Sequence, residues 1–183
     1  MTLSPWPSRP PAHGSVLLRE VAPDDVGMAR ELSTDPYVPE TGSLPFNASV
    51  DDALAWISRQ QGRHSEGAGF SFTVASVADD QAVGHCGLWL KDVEAGLATA
   101  GYAIVPSQRR CGYAADALLA LTGFGWTLPG LARILLHIEP WNIASQRTAE
   151  RAGYVRQEAT ADHQIFNGET REMLVYVADR LET

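Results

Sequence analysis

Short apolar runs recur along the chain in a pattern that alternates strands with helices. Residues 16–19, Val-Leu-Leu-Arg, predict a first strand, and Pro23-Asp24-Asp25 opens a helix to about Leu32 with its acids in the first turn, where the helix dipole favours them. Residues 33–48 contain Pro36, Pro39 and Pro45 and read as a long loop of the functional or mobile kind. Ser49 with Asp52 has the form of a capping box, and Ala53, Leu54, Trp56 and Ile57 give the helix behind it an apolar face. A polar connection covers 62–69. The β-rich runs 70–77 and 82–90 are separated by Ala78-Asp79-Asp80-Gln81, a hairpin pattern, and a turn over 91–96 leads into a strand over 97–105.

An alanine-rich helix then runs to about Trp126, with Gly123 and Gly125 weakening its last turn, and Pro129-Gly130 breaks the chain. Residues 134–138, Ile-Leu-Leu-His-Ile, are continuously apolar and predict a buried strand. A short helix over 144–152 is stopped by Gly153. The tail predicts a strand over 164–166, a turn at Asn167-Gly168 and a strand over 172–177. The order β, α, α, three-strand meander, α, β, α and hairpin implies a mixed α/β sheet with antiparallel strands early and a βαβ unit in the middle.

Composition narrows the class. A chain of 183 residues with 45% hydrophobic and 20% charged residues suits one globular domain, taken as residues 15–183. The first fourteen residues, with four prolines among the first eleven, suggest a mobile lead-in without the apolar core of a signal peptide; a cytoplasmic protein is expected, with no membrane span. Cys86 and Cys111 make no disulfide framework, and no Cys/His spacing suits a metal. A net charge of −8 argues against a nucleic-acid partner and mildly favours a cationic substrate, although plain solubility is the better explanation of that number by itself.

The chemistry centres on residues 101–115, Gly-Tyr-Ala-Ile-Val-Pro-Ser-Gln-Arg-Arg-Cys-Gly-Tyr-Ala-Ala. A short apolar strand ends at Pro106, a loop carries Arg109, Arg110 and Gly112, and a helix follows. A helix N-terminus has unpaired N–H groups and partial positive charge, so this loop forms a candidate anion seat, best suited to phosphate. An ordinary strand-to-helix turn with exposed arginines accounts for the same residues equally well. The spacing is neither the P-loop nor the dinucleotide fingerprint, and no Mg²⁺-holding residue follows, which disfavours a nucleotide-binding protein.

The pattern Arg109-x-x-Gly112-x-Ala114 resembles the acetyl-CoA pyrophosphate loop of the GNAT superfamily of N-acetyltransferases. A second block, Asn142-x-x-Ser145 followed by Glu150-Arg151-Ala152-Gly153-Tyr154, resembles the other conserved stretch of that superfamily, in the right order and separation. The resemblance spans about residues 16–176 and is greatest to the subgroup of ribosomal-protein alanine N-alpha-acetyltransferases. It implies a three-layer fold: a mostly antiparallel sheet of about seven strands with a splayed parallel pair, and helices on both faces. It also implies acetyl-CoA as co-substrate and no metal. The backbone of Ile104 and Val105 would meet the pantetheine arm. Arg109 and the N–H groups from Arg110 through Cys111, Gly112, Tyr113 and Ala114 to Ala115 would hold the pyrophosphate. Asn142 would contact coenzyme A, and Ser145 would lie near its sulfur.

Two positions depart from the subgroup. Ala149 stands where many members carry a general-acid tyrosine, and Thr99 where many carry a glutamate. Ser145 is then the candidate for stabilising the leaving thiolate; no single base stands out, and Glu139, His137 and His85 are the candidates, directly or through water, the two histidines reading more simply as core histidines. Cys111 lacks a neighbouring base and is a poor nucleophile. Tyr37, Glu40, Phe46 and His163 are candidate contacts for an amine acceptor, and ordinary loop packing explains each as well. A non-catalytic acyl-CoA-binding module on the same fold is the alternative, and a homodimer is left open.

Overall fold

The computed structural model describes residues 3–166 and 168–181, without the side chains of residues 158–161. Eight strands form one sheet: β1 (Ala12–His13), β2 (Val16–Glu20), β3 (Gly69–Ser76), β4 (Ala82–Trp89), β5 (Leu97–Ile104), β6 (Arg133–Ile138), β7 (Val155–Phe166) and β8 (Glu169–Asp179). Their spatial order is β1-β2-β3-β4-β5-β6-β8-β7. All pairings are antiparallel except β5 with β6. The helices are α1 (Val26–Leu32), α2 (Val38–Thr41), α3 (Val50–Ser65), α4 (Tyr113–Gly125) and α5 (Ile143–Arg151).

Helices on both faces explain why every residue of β3 is buried. Phe70, Phe72 and Val74 enter the larger core, shared with Leu118, Leu121 and Phe124 of α4. Ser71 and Thr73 face the other side, where their hydroxyls bond Gln60 of α3 and Asp25. A second core on that side gathers Met28, Ala29 and Leu32 of α1 with Ala53, Trp56 and Ile57 of α3. The predicted capping box is formed: the Ser49 hydroxyl accepts from the Asp52 N–H, and the Asp52 carboxylate accepts from Ser49.

Several elements differ from the sequence-based expectation, among them α2, inside the expected loop over 33–48, and β1, inside the expected lead-in. α3 runs through Gly62 to Ser65, where a connection was expected, because tertiary packing of its apolar face outweighs the weak helix propensity of one glycine. β7 starts at Val155, nine residues before the expected strand, and pairs with β8 around a bulge between Arg156 and Ala161 that breaks the alternation a strand search uses. Asn167 of the expected turn lies outside the described residues. The proline-rich lead-in lies against the core: Trp6 packs 4.9 Å from Phe72 and 5.6 Å from Phe70, and the His64 ring bonds the Ser4 carbonyl at 2.9 Å.

Asp25 ties the first helix to the sheet. It is 2% exposed and accepts from Arg19 at 2.8 and 3.0 Å, the Ala22 N–H at 2.9 Å and the Thr73 hydroxyl at 2.7 Å. Burial works to raise its carboxyl, but these donors outweigh burial and hold it below the usual carboxylate range. A depressed folded-state value adds stability that is complete above the unfolded value, near 4, and is lost as the pH falls through the folded one. Asp25→Asn should therefore cost about 3 kcal/mol at neutral pH and flatten the acid limb below about pH 4; urea denaturation at pH 7 and pH 3 measures both.

Candidate active site at the parting of the sheet

β5 and β6 pair only at Leu97 with Arg133, Ala98 with Ile134 and Thr99 with Leu135. Beyond that, β5 stays on β4 to Ile104 and β6 stays on β8 to Ile138, so a gap opens between them. The Val105 N–H donates to the Val83 carbonyl at 3.0 Å. Antiparallel alternation then turns the backbone groups of Tyr102 and Ile104 away from β4 and toward the gap. Val105, expected to share in holding the pantetheine arm, spends its N–H on β4. On one face the Trp89 ring lies across Gly87 and Gly101, where an added Cβ would come within 3.1 and 3.0 Å of it. Gly101 of the central stretch thus serves packing.

The loop at the end of β5 has the shape of an anion seat. Arg110 has φ of 67° and Gly112 of 87°. This is a rare conformation for arginine, and it bends the chain so that successive N–H groups converge. Among the described residues, none of the N–H groups of residues 110–114 has a backbone acceptor. Ala115 differs: its N–H already bonds the Gly112 carbonyl at 3.1 Å. A Cβ on Gly112 would meet nothing within 4 Å, so the loop is open there and its backbone is approachable. These donors at the first turn of α4 fit a diphosphate. The Arg109 guanidinium takes another course. It pairs with Asp35 at 2.6 Å and donates to the Ile104 carbonyl at 3.1 Å.

α5 starts across the gap. Asn142 caps it, its side-chain oxygen accepting the Ser145 N–H at 3.1 Å. The Ser145 hydroxyl lies 2.7 Å from that of Tyr102, so a side chain of β5 reaches across to α5. Burial raises the Tyr102 hydroxyl, with Ser145 and Thr148 opposing. The sequence marks both residues but cannot join them, because 43 positions separate them. Tyr154, by contrast, is a core tyrosine bonded to Thr122 at 2.8 Å.

Glu139 sits at the end of β6, 7% exposed. Among the described residues its Oε2 makes no hydrogen bond; Arg171 approaches it to 3.5 Å without hydrogen-bond geometry. Tyr37 faces Glu139 and Asn142, and burial first, then the Glu139 carboxylate, raises its hydroxyl. The Trp141 ring stands edge-on to Tyr37 at 4.9 Å. Arg171 also pairs with Glu40 at 2.9 Å and approaches Glu169 at 3.7 Å. Tyr37, Glu40 and Glu139 are thus brought together, with Trp141 and Arg171 as members that the sequence reading missed. No local spacing marks either one.

The other candidates lie outside this cluster, with Phe46 bordering it through Glu40. Phe46 is exposed on a shallow groove of about 460 Å³ shared with Pro36, Pro39, Glu40 and Pro45. His163 is exposed on β7 opposite Glu172. His85 is buried edge-on to Trp56, and burial lowers its pKa to about 3, which leaves it a neutral core histidine. His137 bonds Asp162 at 3.1 Å; burial lowers it and Asp162 opposes. Cys111 is exposed, with the Arg109 carbonyl 3.6 Å from its sulfur. Among the described residues no cluster of His, Cys, Asp or Glu is placed to hold a metal ion, and no helix is long and apolar enough to cross a membrane.

Residues 15–155 match the acetyltransferase (GNAT) domain. The uncharacterized N-acetyltransferase p20 of Bacillus licheniformis is 23% identical over 159 residues, which cover 87% of this chain and 89% of that protein. RimJ of Mycobacterium smegmatis, solved with a CoA-disulfide, superposes with a TM-score of 0.75 at 21% identity over 93% of this chain and 84% of that one. The self immunity acetyltransferase MccE, solved with acetyl-CoA and AMP, gives a TM-score of 0.76 at 15% identity over 91% and 93%. At these identities the structural likeness concerns the fold.

Asn142→Ala removes the cap of α5 and should lower stability by about 1 kcal/mol, read as a fall in the thermal midpoint; no change would mean that another group caps the helix.

Proposed function

This chain belongs to the acetyltransferase (GNAT) family, and we propose that it moves the acetyl group of acetyl-CoA to a primary amine, a protein N-terminus or a small cationic amine, in a ternary complex. The observation that carries this reading is the gap between β5 and β6, with the Tyr102 and Ile104 backbone turned into it and the N–H set of residues 110–114 at its end. In this reading the pyrophosphate takes those N–H groups and the pantetheine arm adds to β5 as a further strand would. Asn142 flanks the arm from α5.

An ammonium arriving at the mouth first gives a proton to Glu139, whose Oε2 has no hydrogen bond among the described residues. The free amine attacks the thioester carbonyl carbon. Its oxygen gains charge opposite the Ile104 N–H, a donor fixed by the sheet. The C–S bond then breaks, and the second amine proton passes to the thiolate. In this reading the Ser145 hydroxyl stabilises that sulfur. Its 2.7 Å bond to Tyr102 supports this role, because the tyrosine holds the serine oxygen in place. Glu40, Glu139 and Glu169 outnumber Arg171 at the mouth, which favours a cationic acceptor.

Two substitutions separate the roles. Glu139→Gln should lower kcat/KM by about 100-fold at neutral pH, and the deficit should shrink as rising pH frees the amine without a base. Ser145→Ala should lower kcat by about 10- to 100-fold while acetyl-CoA affinity stays near native, since the bond strengthens only as the thiolate forms. Steady-state thiol release over a panel of amines from pH 6 to 10, beside calorimetric binding of acetyl-CoA, measures both; a pH-independent deficit in Glu139→Gln would remove Glu139 as base.

A further inference from the structure

Residues 35–41 cross the mouth of the gap and are tied at both ends. Asp35 accepts the N–H groups of Tyr37 at 2.8 Å and Val38 at 3.0 Å, fixing the entry to α2, and its other oxygen pairs with Arg109 at 2.6 Å. Glu40 is held at 2.9 Å by Arg171 of β8. Between these ties Tyr37 faces Glu139 and packs on Trp141. One side of the mouth is thus anchored on the loop that follows β5, and the other on the β7–β8 hairpin.

Arg109 stands where the sequence pattern suggests a phosphate ligand, yet both its bonds lead elsewhere, to Asp35 and to the Ile104 carbonyl. The same loop has a second tie on this side, because the Ser107 N–H donates to Glu31 at 2.8 Å from the end of α1. The residue after Arg109 has φ of 67°, so the loop holds a costly shape that its neighbours must maintain. Two segments that share a tie also share the cost of ordering: fixing either one lowers the cost of fixing the other.

We propose that Arg109 is a positioning residue that couples the co-substrate loop to the acceptor segment through Asp35, so that acetyl-CoA binding orders residues 35–41 and presents Tyr37 and Glu139 to the amine. This rests on the reading of residues 110–114 as the pyrophosphate seat. Arg109 contributes to acceptor capture, and the backbone N–H groups of the loop hold the phosphates.

Amide hydrogen exchange of the full chain, with and without saturating acetyl-CoA, tests the coupling without an identified acceptor. In the native protein acetyl-CoA should slow exchange over 35–41 by about 3- to 10-fold, the size of one partly exposed tie. Arg109→Gln and Asp35→Asn should each abolish that remote protection. Asparagine keeps an oxygen for the Tyr37 and Val38 N–H groups, so Asp35→Asn tests the ion pair apart from the cap. In both variants the calorimetric Kd for acetyl-CoA should stay within about fivefold of native, as expected where no phosphate contact is lost. A larger loss of affinity in Arg109→Gln would make Arg109 a phosphate ligand and overturn the proposal. So would protection of 35–41 that persists in both variants, or that is absent from the native protein. Gly112→Glu separates the premise: it places bulk and negative charge at the seat and should abolish binding, whereas native-like binding would show that the seat itself lies elsewhere.

Discussion

Two parallel neighbours, β5 and β6, stop bonding to one another after Thr99 and Leu135, and the rest of the site follows from that parting. Backbone N–H and C=O groups inside a protein need partners, so a sheet that opens in its middle must supply substitutes or leave groups for a ligand. Each strand keeps its outer partner, β4 for β5 and β8 for β6, which keeps both edges rigid. Tyr102 bridges the opening on the core side by reaching Ser145, and α4 starts at the end of β5 with its first N–H groups free. A rigid, partly unpaired strand edge beside a helix N-terminus can take an extended arm with an anionic end, which is the shape of acetyl-CoA.

Charge organises the mouth of the gap. Asp35 is held below the usual carboxylate range, since Arg109 and two backbone N–H groups outweigh the effect of its burial. Glu139 is buried beside a single arginine that approaches without a hydrogen bond, and Arg171 is shared with the more exposed Glu40 and Glu169. Among the described residues, one carboxylate is therefore fully engaged in structure while the other has an oxygen without a hydrogen bond. The short α2, which has no strong propensity of its own, is placed by these ion pairs at either end.

The order of the longer strands and helices, the hairpin at Ala78–Gln81 and the capping box at Ser49 were legible because local periodicity and caps determine them, whereas the short β1 and α2 were not. The two motif blocks located the loop at Gly112 and the cap at Asn142. What the sequence concealed arises from distance along the chain. Arg171 meets Glu40 across 131 positions and Tyr102 meets Ser145 across 43, and no spacing rule links such pairs. Arg109 shows a related limit: a basic residue in a phosphate-type loop suggests a ligand contact, and only the fold shows Asp35 beside it. The long β7 was hidden by its bulge, and the docking of Trp6 by the polar, proline-rich residues around it.

The central claim is that the parted strand edge and the first turn of α4 form one acetyl-CoA site. Backbone amide chemical-shift mapping during an acetyl-CoA titration tests it most directly, because it reads every N–H group concerned in the same experiment. The account predicts saturable shifts concentrated at residues 102–104, 110–114 and 142–145, with smaller ones over 35–41. Saturable shifts that leave residues 102–104 and 110–114 unmoved would contradict it.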